Sequence, residues 1–271
     1  MAKNKKITYI VPGSSDSSTI YFWTTDNVSK PTVFLMHGAA MDHNMFNDQL
    51  DSLSEYNVIA WDARGHGESR PVEGNFTITD LANDALGILE SLKISTAIFV
   101  GQSEGGMIAQ EIYRLNPSIV QGMVTIGASP IMIPYSKMDV WLLSMSTSII
   151  KIWPYNNFMK ALAKKTSIKK SVQDYALKTV ASISQKDFLS IWSGVTSSIS
   201  VNGIKDMHIS VPLLITYGEK DSTGTVKKNN IRWKEYEENA ELVVIPDAGH
   251  NANQDNPVFF NKLLVEFLEK I

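Results

Sequence analysis

Gly101-Gln102-Ser103-Glu104-Gly105-Gly106 stands between an apolar, strand-like run, Thr96-Ala97-Ile98-Phe99-Val100, and a helix-like run from Met107 to Leu115. A G-x-S-x-G placed between a strand and a helix describes a sharp turn that lifts the serine hydroxyl above the edge of a sheet. Such a turn is crowded and strained, and glycine, with no Cβ, is the residue that fits beside it. Ser103 is therefore the candidate nucleophile.

A serine hydroxyl is a weak nucleophile at neutral pH. It needs a base to take its proton and a third group to orient that base. In this chemistry the partners often follow in the order Ser, Asp/Glu, His. Downstream, the strand-like Leu213-Leu214-Ile215-Thr216-Tyr217 leads into Gly218-Glu219-Lys220-Asp221, and Leu242-Val243-Val244-Ile245 leads into Pro246-Asp247-Ala248-Gly249-His250. Each candidate follows the C-terminal end of a strand, the edge at which open α/β sheets bind their ligands. His250 is the candidate base and Asp221 the candidate orienting acid, with Glu219 and Asp247 as rivals. Among the other histidines, His37 and His66 sit inside turn motifs, His43 is a candidate for the pocket entrance, and His208 precedes a strand at the opposite edge.

Two further turns complete the pattern. Phe34-Leu35-Met36-His37-Gly38-Ala39-Ala40 ends an apolar strand in His-Gly, and Asp62-Ala63-Arg64-Gly65-His66-Gly67-Glu68-Ser69 follows another. With these motifs in this order, the chain resembles the α/β-hydrolase superfamily, in its capped serine-hydrolase branch, from about residue 19 to the end. The resemblance implies an α/β fold: a mostly parallel central sheet flanked by helices, with an inserted helical cap. It divides the chain into a core of residues 1–129 and 209–271 and a cap of residues 130–208 over the mouth of the site. It also implies an oxyanion hole made by the backbone N–H groups of Glu104 and Ala39. In some members the acid follows the strand before the cap, but Gly127-Ala128-Ser129-Pro130 offers no carboxylate there.

Periodicity agrees with that architecture. Apolar runs near 19–24, 32–36, 57–61, 96–101, 120–127, 211–217 and 241–246 predict strands, and 43–54, 79–92, 104–115, 226–238 and 256–270 predict helices. Strands alternating with helices argue for a mostly parallel sheet covered on both faces. Thr79 and Asn256 are expected N-caps, with Pro257 in the first turn of the last helix. Between about Ser129 and Ser210 the alternation stops and the patterns are helical.

A chain of 271 residues with 44% hydrophobic and 20% charged residues is ordinary for a globular protein. There is no cysteine, which excludes disulfides, thiolate metal sites and a cysteine nucleophile. Ile7-Thr8-Tyr9-Ile10-Val11 runs at once into Pro12-Gly13-Ser14, too short an apolar run for a signal-peptide core. No stretch approaches the ~18 apolar residues of a membrane span, so a cytoplasmic protein without membrane insertion is expected. No metal, dinucleotide or Walker fingerprint is present, so no cofactor and no metal are expected. A net charge of −3 gives no support for nucleic-acid binding.

The charge is uneven. Residues 131–208 hold ten lysines and four aspartates, while the remainder is net acidic. These lysines are either solvated helix faces or an attraction for an anionic substrate or surface. The Glu104 side chain is not required by the mechanism; pointing into solvent or capping the helix that starts there are the simple readings. Trp141, Trp153 and Trp192 divide between the cap's own core and the pocket wall.

The expected activity is hydrolysis of a small carboxylic ester, or a lactone, through an acyl-enzyme. A C–C hydrolase or a cofactor-free perhydrolase would use the same triad, and a non-catalytic binding module is the remote alternative. Dehalogenases and epoxide hydrolases of this fold carry Asp where this chain has Ser103. The sequence does not specify an oligomeric state.

Overall fold

In β3 (Thr32–Met36), β4 (Asn57–Asp62), β5 (Ala97–Gln102) and β7 (Leu213–Gly218), every residue of the computed structural model is buried. Side chains alternate between the two faces of a strand, so a strand without an exposed residue must be covered on both. The residues sort accordingly. Val33, Leu35, Val58, Ala60, Ile98 and Val100 enter one core, while Phe34, Met36, Ile59, Trp61 and Phe99 enter the other. Residues 5–10, 19–70 and 74–271 are described; Pro12-Gly13-Ser14 lies outside them.

The sheet has eight strands in the order β1-β2-β4-β3-β5-β6-β7-β8, with β1 at Lys5–Ile10, β2 at Thr19–Thr24, β6 at Val120–Ile126 and β8 at Glu241–Ile245. β1 and β2 pair antiparallel, as do β2 and β4; all later pairings are parallel. Helices α1 (Ile78–Ser91) and α2 (Glu104–Leu115) pack Leu81, Ile88, Ile108 and Ile112 into the Phe99 core. The opposite core takes Met45 and Phe46 from 3₁₀ turns over His43–Leu53, and Phe260 and Leu264 from the last helix.

Between β6 and β7 lie four helices: α3 (Lys137–Ile152), α4 (Tyr155–Thr166), α5 (Lys170–Ala181) and α6 (Gln185–Ser197). The remaining helices are α7 (Val226–Tyr236), the short α8 (Ala252–Asp255) and α9 (Pro257–Leu268).

Several local expectations are corrected. Strand β1 extends an antiparallel hairpin from Lys5↔Thr24 to Ile10↔Thr19; its run is short and half-buried, a weak signal by periodicity. The stretch expected to be helical near 43–54 is helical over 43–53, wound as 3₁₀; Asn, Asp and Ser are poor α-formers because their side chains compete for the backbone. Thr77, not Thr79, caps α1: its hydroxyl accepts the Asp80 N–H while the Asp80 carboxylate accepts the Thr77 N–H. Thr79 instead donates to Glu111. Asn256 does cap α9, with Pro257 at its start.

The Phe99 ring lies 6.0 Å from that of Phe34, which meets Trp61 edge-on at 5.5 Å. Phe99→Ala should lower unfolding free energy by about 3–5 kcal/mol in urea titration. Phe259→Ala, on the outer face of α9 and 38% exposed, should cost under about 1 kcal/mol. Equal losses would contradict this assignment of the core.

Candidate active site

Ser103 lies where β5 becomes α2, with φ 48° and ψ −109°. Such a conformation costs an L-residue on the order of 1–3 kcal/mol and persists only where the surroundings enforce it. Here the Ser103 N–H donates to Ile126 O at 2.8 Å, and the Gly106 and Met107 N–H groups return to Ser103 O at 3.1 and 3.2 Å. A Cβ on Gly105 would stand 2.1 Å from the Met36 carbonyl oxygen, so glycine lets α2 begin directly against β3. Ser103 is half-buried.

His250 follows β8, and its Nδ1 meets Asp221 Oδ2 at 2.8 Å. A carboxylate can only accept, so Nδ1 carries the proton and Nε2 keeps a lone pair. Burial alone would raise the Asp221 carboxyl, but the adjacent His250 and the Thr223 N–H at 2.7 Å hold it below its usual value. The rivals lie elsewhere. Asp247 is exposed and pairs with Lys220 at 2.6 Å, while Glu219 accepts the Asp247 N–H at 3.2 Å.

Ser103, His250, Ala39 and Gln102 open on one cavity of about 410 Å³. Its far wall comes from the inserted helices: Asp139, Leu142, Leu143 and Ser146 of α3, Leu162 and Thr166 of α4, and Phe188, Trp192 and Val195 of α6. Trp192 Nε1 donates to Ser146 Oγ at 2.8 Å, tying α6 to α3 across the wall. Gln102 was not foreseen as a site residue. Its Nε2 donates to His250 O at 3.2 Å, and a Cβ on Gly38 would fall 1.9 Å from its Oε1. Its position just before the serine was the available signal.

Three suggested wall residues lie outside the cavity. His43 stacks on Trp23 at 3.4 Å, and its Nδ1 donates to buried Asp62 at 2.8 Å, which turns the ring away. Trp141 and Trp153 are 55% and 40% exposed on the outside of the inserted helices. None of the ten lysines in residues 131–208 lines the cavity. Among the described residues, no three His, Asp or Glu side chains converge as a metal cluster would require, and no helix is long and apolar enough to cross a membrane.

The Glu104 side chain neither reaches solvent nor caps α2; it is fully buried beneath the turn. Its Oε2 lies 3.4 Å from His66 Nε2. His66 Nδ1 contacts the Arg64 carbonyl at 3.0 Å and must donate to it, which leaves a lone pair on Nε2. A charged carboxylate facing that lone pair would be repelled, so one proton belongs between them. Burial raises Glu104 to about 8 and lowers His66 to about 3, which keeps the proton on the carboxyl at neutral pH. The turn thus rests on a neutral acid, and the backbone N–H of the same residue stands next to Ser103.

The family model described as alpha/beta hydrolase fold matches residues 31–257. The chain is 25% identical to 3-oxoadipate enol-lactonase 1 of Acinetobacter baylyi over 262 residues, covering 89% of this chain and 90% of that protein. The fold is similar to that of a thermophilic esterase from Thermogutta terrifontis, with a TM-score of 0.82, 20% identity and 98% of both chains covered. It is also similar to that of the enol-lactonase from Burkholderia xenovorans, with a TM-score of 0.81, 20% identity, and 97% of this chain and 100% of that one covered.

The Glu104 carboxyl gives stability a definite pH dependence. Its folded pKa lies above its unfolded one, so the unfolded chain releases this proton first as pH rises. The contribution is full below about 4.5 and is lost progressively up to about 8. Glu104→Gln keeps the shape and removes the titration. Urea midpoints at several pH values should fall less steeply for the variant across that window; parallel curves would mean that Glu104 is ionised throughout.

Proposed function

The chain belongs to the alpha/beta hydrolase fold family, and from that premise we propose that it is a serine hydrolase that cleaves a carboxylic ester through an acyl-enzyme. The observation that carries this reading is the His250–Asp221 pair. It leaves Nε2 as the free base of a ring that lines the same cavity as Ser103.

In this reading Ser103 Oγ adds to the ester carbonyl carbon while His250 Nε2 takes its proton. Asp221 holds the tautomer and stabilises the imidazolium. The oxyanion forms against the backbone N–H groups of Ala39 and Glu104, fixed donors that need no reorganisation when charge develops. Collapse breaks the C–O bond to the alcohol, and His250 returns the proton to the departing oxygen. A water molecule, deprotonated by His250, then repeats the addition and frees the acid.

The inserted segment, residues 130–208, acts as a cap that selects the substrate, because most of the far wall of the cavity comes from it. That wall is apolar, and Asp139 is the one formally charged side chain it contributes. An uncharged ester with an apolar acyl or alcohol group fits such a surface. Similarity to an enol-lactonase favours a lactone as a second substrate class. A lactone bearing a free carboxylate, as a 3-oxoadipate derivative does, would find no lysine or arginine among the cavity's lining residues.

Ser103→Ala should abolish both hydrolysis of p-nitrophenyl esters and stoichiometric labelling by an organophosphonate while leaving the thermal transition in place. Labelling at another residue would refute the nucleophile. Asp221→Asn should lower kcat by roughly 10⁴-fold with little change in KM; greater damage from Asp247→Asn or Glu219→Gln would move the acid.

Trp192→Ala should change relative rates across esters of increasing chain length, at ~1–3 kcal/mol per methylene discriminated. Trp141→Ala, outside the cavity, should leave those ratios unchanged. The reverse pattern would place the substrate elsewhere.

A further inference from the structure

Helix α3 is apolar on two opposite sides. Val140, Leu143 and Ile150 face inward. Met138, Trp141, Leu142, Met145, Ile149 and Ile152 face outward, with exposures of 64, 55, 55, 39, 46 and 84%. The outward positions recur at helical spacing and form one stripe along the length of the helix. Single exposed apolar side chains are ordinary, but a contiguous row marks a surface meant to be covered. Among the described residues, nothing in this chain covers it.

The surroundings of the stripe define the partner. Lys137 and Lys151 lie near the two ends of the helix, and Lys160, Lys164 and Lys165 follow on α4, all exposed. The lysine ion pairs among the described residues involve Lys6, Lys30, Lys170, Lys205, Lys220, Lys262 and Lys270, none of these five. Residues 131–208 carry ten lysines against four aspartates in a chain of net charge −3, so the segment that bears the stripe is net positive and attracts negative charge. A second copy meeting it face to face would set these lysines against their equivalents. An anionic bilayer instead offers apolar depth for the stripe and phosphates for the lysines. Leu142 belongs both to the stripe and to the cavity lining, so the stripe reaches the rim of the cavity.

We propose that the outward face of α3 docks this protein on an anionic lipid surface, with the cavity rim at the contact. Docking there would give apolar esters a path from the lipid to Ser103; that consequence rests on the function proposed above, whereas the docking itself does not.

The test is flotation of the full chain with phosphatidylglycerol–phosphatidylcholine vesicles, read as bound protein and independent of turnover. Bound protein should fall at least roughly tenfold on pure phosphatidylcholine vesicles or in high salt. The triple change Met138→Gln, Ile149→Gln, Ile152→Gln touches no cavity residue. It should lose vesicle binding while retaining hydrolysis of a soluble short-chain ester. Lys137→Glu with Lys151→Glu should weaken binding to the anionic vesicles. Ser103→Ala should still float, so a catalytic failure and a docking failure are distinguishable. No flotation of the unmodified protein, or undiminished flotation of the triple variant, would overturn the proposal. So would a dimer in sedimentation that the triple variant dissociates, which would assign the stripe to a second copy.

Discussion

The site depends on a single backbone constraint, the positive φ of Ser103. An L-residue leaves that conformation unless its neighbours prevent it. β6 anchors the Ser103 N–H through the Ile126 carbonyl, and the first turn of α2 captures the Ser103 carbonyl. The helix can start there because Gly105 lies where any side chain would strike the end of β3. The same close approach brings the Gly38–Ala39 turn beside the serine, with Gln102 wedged against Gly38. Nucleophile and proposed oxyanion donors are thus set by sheet packing, and the flanking loops do not have to find them.

The loop carrying His250 is held from two directions. From the sheet, Gln102 donates to its carbonyl. From the inserted helices, the Thr166 carbonyl accepts the Asn251 N–H at 2.8 Å. Buried Asp255 accepts the N–H groups of Gly249, Ile168 and Lys169 at 2.8, 3.0 and 3.0 Å, and the Ser167 hydroxyl. A buried carboxylate with this many donors keeps its geometry, because releasing any donor leaves charge unsolvated. The turn between α4 and α5 is therefore welded to the proposed base. The inserted helices and the proposed base share one hydrogen-bond network, so a change in the α4–α5 turn reaches His250 without touching the cavity.

The mostly parallel sheet, and the places of Ser103, Asp221 and His250 just past its strands, were legible because each rests on a local signal: a buried strand followed by a turn with the right residue. Asp221 and His250 are 29 residues apart, yet both follow strands that pair in parallel, and that pairing brings them together. What was not legible depends on tertiary direction. His43 and Glu104 read as polar residues free to face solvent or the pocket; Asp62 claims the first, and the crowding beneath the turn buries the second. Trp141 and Trp192 both lie on helices, but helical phase puts one outside and the other in the wall. The Thr77 cap was missed because Thr79 has the same local chemistry, and only the partners distinguish them.

Two carboxyl groups near the serine show how environment, not residue type, sets charge. Asp221 and Glu104 are both buried, and burial raises both. Asp221 also accepts from the His250 ring and the Thr223 N–H, and those donors reverse the effect of burial. Glu104 has no donor; its neighbour His66 presents a lone pair. One group is therefore held as an anion where the proposed mechanism needs a counter-charge to an imidazolium. The other stays neutral where an anion would oppose the charge that the proposed reaction develops at its backbone N–H. With a hydrogen-bond donor in place of His66, the Glu104 carboxyl would be satisfied as an anion, the wrong charge state beside the proposed oxyanion donors. Pairing the acid with a histidine already committed to the Arg64 carbonyl avoids that outcome, which gives the His66 turn a reason to carry histidine beyond filling space.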